Sequence, residues 1–143
     1  MSPFTQLLAV QRLDTTIDQL RHRRATLPER AVVAERTAEV AKLDEELAQV
    51  GARRAELQRS LKHIEDDVAL IDAKIAEEEA KLYSGSVTAA KELQALQEEV
   101  ESLKRRKVVR EDEELEVMER LEPVDADLAR LETERAAVAA TLA

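Results

Sequence analysis

Two stripes of aliphatic residues flank Gly85. Each follows positions that alternate in steps of three and four residues, although other residue types, such as Arg36, Arg54 and Glu78, occupy some of these positions. This spacing is typical of the a/d seam of a coiled-coil heptad. The first stripe consists of Val33, Val40, Leu43, Leu47, Val50, Leu57, Leu61, Ile64, Val68, Ile71, Ile75 and Leu82. The second stripe consists of Ala89, Leu93, Leu96, Val100, Leu103, Val117, Leu121, Val124, Leu128, Leu131, Val138 and Leu142. The pattern predicts two long helices that share one apolar interface.

The two stripes mirror each other about Gly85, as expected if the chain folds back there and the helices run antiparallel. In the mirrored register, Ile75 lies opposite Leu96. Glycine readily adopts the left-handed conformation that ends a helix, so Gly85 suits the turn. We therefore predict an all-α fold, a long, bent, antiparallel coiled-coil hairpin preceded by one amphipathic helix. The predicted parts are a helix at 1–27 and a hairpin at 28–143, with arms at about 29–83 and 88–143 and a tip at 84–87.

The composition agrees with long helices and argues against several classes of protein. Aromatic residues make up 1% of the chain and charged residues 37%, which is typical of coiled coils rather than of compact domains. The net charge of -9 disfavours nucleic acid except at a local basic patch. The chain has no Cys for a disulfide or a thiolate metal site, and no apolar run of membrane-spanning length. The start lacks a secretory signal pattern, so we expect a cytoplasmic protein without a membrane partner.

The N-terminal helix carries an apolar stripe that the predicted hairpin leaves without a partner. This α1 stripe consists of Leu7, Val10, Leu13, Ile17 and Leu20. Pro28 separates the helix from the hairpin, because proline disfavours helical geometry at the residue before it. The helix must fold back on the hairpin, form a homodimer with a second copy, or bind another molecule. In each case we predict that the stripe is an interface.

The heptad pattern is interrupted in the middle of the second stripe. The positions expected on the seam there hold Lys107, Arg110 and Glu114. Apolar residues lie off the seam at Val108, Leu115 and Met118. A stutter in the heptad pattern, or a second partner on another face of the helix, would explain this.

Two helix-breaking residues, Gly51 and Pro123, fall at the same height in the mirrored register. Proline inside a helix removes a hydrogen bond and clashes with the preceding turn. We predict a bend of the hairpin at this height. The alternative is that Pro123 begins a separate short helix.

No constellation of side chains predicts catalysis, and we expect a protein without enzymatic activity. His22 and His63 are isolated in the sequence, and runs of acidic residues such as 77–79 are typical of a solvated helix face. We therefore expect no metal and no cofactor bound within this chain.

Two surfaces are candidate binding sites besides the α1 stripe. The tip site consists of Tyr83, Ser84, Gly85, Ser86, Val87, Lys91 and Glu92. Turn geometry alone would also account for its Gly and Ser residues. The basic patch consists of Arg21, Arg23 and Arg24. These arginines suit either a phosphate backbone or acidic side chains of the hairpin, and aromatic platforms for single strands are missing.

The helical runs resemble those of a known bacterial family. LYSGSVTAAKELQALQEEVESLKRR, EDEELEVMERLE and the opening LLAVQRLDTTIDQLRHRRATLPER are similar to the helical-hairpin half of the C4-type zinc-ribbon coiled-coil proteins. The resemblance covers essentially the whole chain, and its most specific motif is S-G-x-V-T-x-x-K-E-L at residues 84–93. Members of that family continue into a ribbon of two Cys-x-x-Cys pairs that holds zinc. Because this sequence has no Cys, the resemblance implies zinc only in a ribbon outside it, and the chain is interpreted as a fragment.

The resemblance implies a scaffold or adaptor that binds protein partners. Some members of the family that this chain resembles act as adaptors, and they contact an alternative sigma factor or components of export machinery. The family is also described as nucleic-acid binding, and some members contact a messenger RNA. The alternative function is therefore an RNA- or DNA-binding regulatory protein that uses the basic patch together with the missing ribbon.

Overall fold

The computed structural model describes residues 2–142, which form three helices and no strand. The helices are α1 at Pro3–Ala25, α2 at Pro28–Tyr83 and α3 at Ala90–Ala140. The helices α2 and α3, of 56 and 51 residues, pair as a coiled-coil hairpin, and the predicted all-α hairpin fold is confirmed. At the tip of the hairpin, α2 ends at Tyr83 and α3 begins at Ala90.

The chain divides into two compact units. One unit contains the residues up to Glu46 together with those from Glu132 onward, and the other runs from Leu47 to Leu131. In each unit a segment of α2 lies against a segment of α3. The predicted division into an N-terminal helix at 1–27 and a hairpin at 28–143 stays a prediction.

The heptad seam forms the core of the unit from Leu47 to Leu131. One buried cluster consists of Ile71, Ile75, Val100 and Leu103. Further buried seam residues in this unit are Ile64, Val117, Val124 and Leu131. Burying an aliphatic side chain contributes about 1.5–3 kcal/mol, so a narrow seam of such residues supplies the apolar stabilisation that aromatic residues give other proteins.

The seam of α3 continues without a stutter through its charged positions. Lys107, Arg110 and Glu114 are half-buried at the heptad positions, whereas Val108, Leu115 and Met118 are exposed. The long aliphatic stems of Lys and Arg cover apolar neighbours while their charged ends reach water. Of the two explanations predicted for the interruption, the stutter is wrong for this structure.

Ion pairs across the two helices neutralise the two cations of the interrupted seam, Lys107 and Arg110. Nζ of Lys107 lies 2.6 Å from Oδ1 of Asp72, and NH2 of Arg110 lies 2.5 Å from Oδ2 of Asp67. The hydrogen bond to Asp72 raises the pKa of Lys107 above its ordinary value. The charged positions are thus accommodated in the seam because each cation has an acidic partner on the facing helix.

Glu78 is the polar residue that the seam buries most. Its exposed fraction is 3%, and Oε1 lies 3.1 Å from Nζ of Lys74 and 3.6 Å from Nζ of Lys81. The hydrogen bond with Lys74 holds the pKa of Glu78 below its ordinary value, against the opposing effect of desolvation. Both cations lie on α2 itself, so the helix supplies the counter-charges of its own buried carboxylate.

The register of the hairpin differs from the predicted one by a heptad. Nζ of Lys104 lies 3.0 Å from Oε1 of Glu79. With Ile75 opposite Leu96, as predicted, these two residues would lie about 18 Å apart along the helix axis. The ion pair between Lys104 and Glu79 can form when Ile75 lies level with Leu103. Each side chain leans toward the N-terminus of its own helix, so in this antiparallel arrangement the two side chains lean toward each other. The predicted register is therefore wrong, although most residues assigned to the seam are buried or half-buried; the exceptions are Val33, Ala89 and Leu142, which are exposed near the ends of the helices.

Other ion pairs agree with the observed register. In the same unit they are Lys107–Asp72, Arg110–Asp67 and Arg54–Asp125. In the other unit, the guanidinium of Arg135 donates to the carboxylate of Asp44. The predicted mirror about Gly85 would also place Val33 opposite Val138, but Val33 is 52% exposed, whereas Val138 is half-buried.

The helix α3 runs through Pro123 without a break. The alternative that Pro123 begins a separate short helix is therefore wrong. The bend predicted at the height of Gly51 and Pro123 stays a prediction.

Candidate interaction surfaces

The helix α1 is built as a self-contained element. Ser2 caps its N-terminus, with the backbone N–H of Thr5 donating to Ser2 Oγ at 3.2 Å, and Pro3 occupies the first turn. At the other end, the N–H of Thr26 donates to the carbonyl oxygen of His22 at 3.0 Å. Local capping therefore sets both ends of α1, before any packing is considered.

The α1 stripe is exposed along its whole length. All five of its residues, from Leu7 to Leu20, are exposed, and Leu13 in the middle is 63% exposed. No residue of α1 is buried. Of the three predicted states of this helix, packing on the hairpin is not the one observed. Because apolar helix faces normally pack against another element, the exposed stripe is a candidate docking surface.

The basic patch lies in the last turns of α1, where cations also interact favourably with the helix dipole. Arg21 and Arg24 are three residues apart and share one side of the helix, whereas Arg23 lies on another side. All three are exposed, and within residues 2–142 none of them forms an ion pair. The predicted pairing of these arginines with acidic side chains of the hairpin is thus not observed.

The tip site surrounds a turn that side-chain hydrogen bonds hold together. Gly85 has a φ of 75°, the left-handed conformation predicted for it. Ser84 Oγ donates to the carbonyl oxygen of Lys81 at 3.0 Å and lies 2.7 Å from Ser86 Oγ. Turn geometry therefore accounts for these three tip residues.

The remaining tip residues differ in their exposure. Val87 is half-buried in the turn, and Tyr83 is 81% exposed at the end of α2. Lys91 and Glu92 lie exposed in the first turn of α3. The tip thus presents one aromatic ring and two side chains of opposite charge around a turn of small residues.

A further apolar surface on α3 was not predicted as a site. It consists of Val108, Leu115 and Met118, spaced by seven and three residues, and we name it the second stripe. Leu115 is 57% exposed. A shallow groove borders the stripe, with Leu115 and Met118 on its α3 side and Val68 and Asp72 on its α2 side. The heptad spacing of these off-seam residues is the sequence signal that points to this surface.

Neither a metal-binding cluster nor a membrane-spanning helix occurs among residues 2–142. Within residues 2–142, no group of three or more acidic or His side chains is placed to hold a metal ion. No helix among these residues is long and apolar enough to cross a membrane.

Comparisons with known proteins identify a family for almost the entire chain. The family model of the CT398-like coiled coil hairpin domain matches residues 10–143. An uncharacterized protein of Mycobacterium tuberculosis, named MT2288 in strain CDC 1551 / Oshkosh and Rv2229c in strain ATCC 25618 / H37Rv, is 31% identical over 120 residues. The match covers 84% of this chain and 49% of the relative, so the chain spans about half the length of these curated relatives. No solved structure matches significantly.

Proposed function

Because the chain belongs to the CT398-like coiled coil hairpin family, we propose that it is a non-enzymatic adaptor that binds protein partners through the α1 stripe and the tip site. The observation that carries this proposal is the exposure of an entire apolar helix face on α1. A helix of 23 residues that buries nothing gains no stability from packing, so its apolar residues serve best as contacts for another molecule. The all-helical fold and the family support a binding role over catalysis.

Affinity capture from extracts of the source organism tests this function. The bait is the chain itself, compared with Leu13→Asp plus Ile17→Asp, which places two charges on the α1 stripe. We expect the double variant to lose partner proteins that Thr15→Asp, on the opposite face of α1, retains. A fourth bait, Lys91→Ala plus Glu92→Ala, tests the tip site. Identical sets of captured proteins for all four baits would contradict the proposed function.

Nucleic-acid binding is a second candidate, favoured by the lack of ion pairs at the basic patch among residues 2–142. Titrations with single-stranded RNA and duplex DNA at two salt concentrations test it. If the patch binds phosphates, binding weakens steeply with salt and is lost in Arg21→Ala plus Arg23→Ala plus Arg24→Ala. The matched control, Arg105→Ala plus Arg106→Ala on α3, keeps its binding. No binding at low salt removes this candidate.

Zinc enters the proposal only through the resemblance to the zinc-ribbon proteins. This chain has no Cys, so it offers no thiolate ligand for a structural zinc site. We propose that the family's zinc ribbon belongs to a longer protein of which this chain is the helical part. A metal analysis of a natural chain as long as the curated relatives tests this, with about one zinc per chain expected if the ribbon is present.

A further inference from the structure

Two unpartnered apolar stripes occur in this chain, one on α1 and one on α3. The α1 stripe is exposed throughout, and the second stripe lies open beside its shallow groove. Both have heptad spacing, which is the spacing that lets one helix pack along another. A second copy of the chain would therefore bring a helix with a suitable apolar face to each stripe.

The charges around the two stripes are opposite in sign. The helix α1 contains four arginines and two aspartates, so its local charge is positive. Arg21 and Arg24 lie one turn apart at the end of the stripe. Around Leu115 and Met118 the charged residues are mainly acidic, namely Glu111, Asp112, Glu116, Glu119 and Glu122, whereas Lys104 and Arg105 flank Val108 at the other end of the second stripe. Opposite charges beside an apolar contact fix the partner and its orientation.

Pairing of α1 with α1 of another copy lacks this complementarity. A parallel pair would bring Arg21 and Arg24 of both copies together, with like charges facing each other. An antiparallel pair would place these arginines against the first turn of α1, which contains no acidic residue. The acidic surroundings of the second stripe are the better match for the basic end of α1.

From these observations we propose that α1 of one copy docks on the second stripe of a second copy. If the contact is reciprocal, each copy gives one helix and accepts one, which closes a two-fold dimer with two equal interfaces. A specific interface buries about 1,000 Å² or more, and two contacts bury twice the area of one. The inference rests on the proposed use of the α1 stripe as a docking surface, and it names the occupant.

Sedimentation velocity of the full chain over a range of concentrations tests the proposal. The wild-type chain is expected to form dimers. Leu13→Asp in α1 and Leu115→Asp in the second stripe are each expected to weaken dimerisation at least tenfold, since each places a charge in the contact. Leu70→Asp is the matched control, because Leu70 is also strongly exposed on the hairpin but lies outside the second stripe.

Mixing the two weakened variants distinguishes this contact from other dimers. The Leu115→Asp copy retains an intact α1, and the Leu13→Asp copy retains an intact second stripe, so an equimolar mixture is expected to recover dimers through one interface. Circular dichroism is the check that each variant is still helical, and Ile17→Asp with Met118→Asp provides a second pair of variants.

Three results would overturn the proposal. The first is a wild-type chain that stays monomeric at all concentrations, and the second is a dimer that Leu13→Asp disrupts but Leu115→Asp does not. The third is a mixture without recovered dimers. If the chain is monomeric while Leu13→Asp plus Ile17→Asp still loses captured proteins, the proposed adaptor function stands and only the choice of occupant fails.

Discussion

Gly85 has a φ of 75°, in a turn where an added Cβ would meet no atom within 4 Å. The cost of a side chain at this position is therefore conformational rather than steric. Gly51 lies inside α2, where an added Cβ also meets nothing within 4 Å. The two glycines thus occupy positions with equal space and different backbone requirements.

This difference predicts opposite effects of the same substitution. Gly85→Ala is expected to lower the free energy of unfolding by about 1 kcal/mol, because an L residue is strained at positive φ. Gly51→Ala is expected to raise it by about 0.5–1 kcal/mol, because Ala favours the helix. Urea unfolding followed by circular dichroism measures both changes. Shifts in the same direction for the two variants would contradict the assigned backbone roles.

Glu78 makes the stability of the hairpin depend on pH. Its pKa in the folded chain lies below the ordinary value of 4.5, chiefly because Lys74 hydrogen-bonds to the carboxylate. The ionised carboxylate therefore stabilises the fold above about pH 4.5, and this contribution is lost as pH falls through the lowered pKa. We expect the Tm of the wild-type chain to fall more steeply on acidification than that of Glu78→Gln.

The control for this experiment is Glu101→Gln, at an exposed position of α3. Its Tm is expected to follow that of the wild-type chain across the same pH range. A Glu78→Gln curve parallel to the wild-type curve would refute the role given to Glu78.

At the scale of the helices, the apolar pattern predicted the seam but not its register. A seam that repeats every heptad matches its partner equally well after a shift of one heptad, so positions such as Ile75 were correct while their partners were not. The predicted register would also have placed Arg36 opposite Arg135. The observed register instead gives Arg135 an acidic partner in Asp44. Charged residues therefore determine which of the two registers forms. Their contacts are harder to predict from sequence, because long side chains reach several residues along the helix axis.

Engineered disulfides test the register, because the chain has no Cys of its own. Ile75→Cys with Leu103→Cys is expected to crosslink within one molecule under mild oxidation, since the structure places these seam residues level. Ile75→Cys with Leu96→Cys, the pair of the predicted register, is the matched control and is expected to leave its thiols free. Mass spectrometry of the oxidised proteins counts the remaining thiols, and the reverse pattern would contradict the register.

Across the whole molecule, stability is expected to differ strongly between α1 and the hairpin. The sequence predicted the α1 stripe and its lack of a partner within the hairpin, because the seam residues of α2 and α3 already account for each other. The pattern alone left open whether α1 folds back, and the exposure of all its residues argues against that state. The second stripe was not among the predicted sites, although a second partner on this face of α3 was one of the two explanations offered for the interrupted seam.

Hydrogen exchange measures this difference directly. At concentrations low enough to keep the chain monomeric, amides of α1 are expected to exchange much faster than those of residues 64–78 in α2. An isolated helix of this length is only marginally stable, whereas the α2 segment opens only with its packed seam. Equal protection of the two segments would contradict the exposed state of α1.

The charged residues of the seam have one more consequence. Two alignments of the helices satisfy the aliphatic pattern, and they differ by a sliding displacement of one heptad, about 10 Å. Lys104, Lys107 and Arg110 distinguish them through their acidic partners. Substitutions that remove those three positive charges are therefore expected to lower the energy gap between the two alignments of the helices.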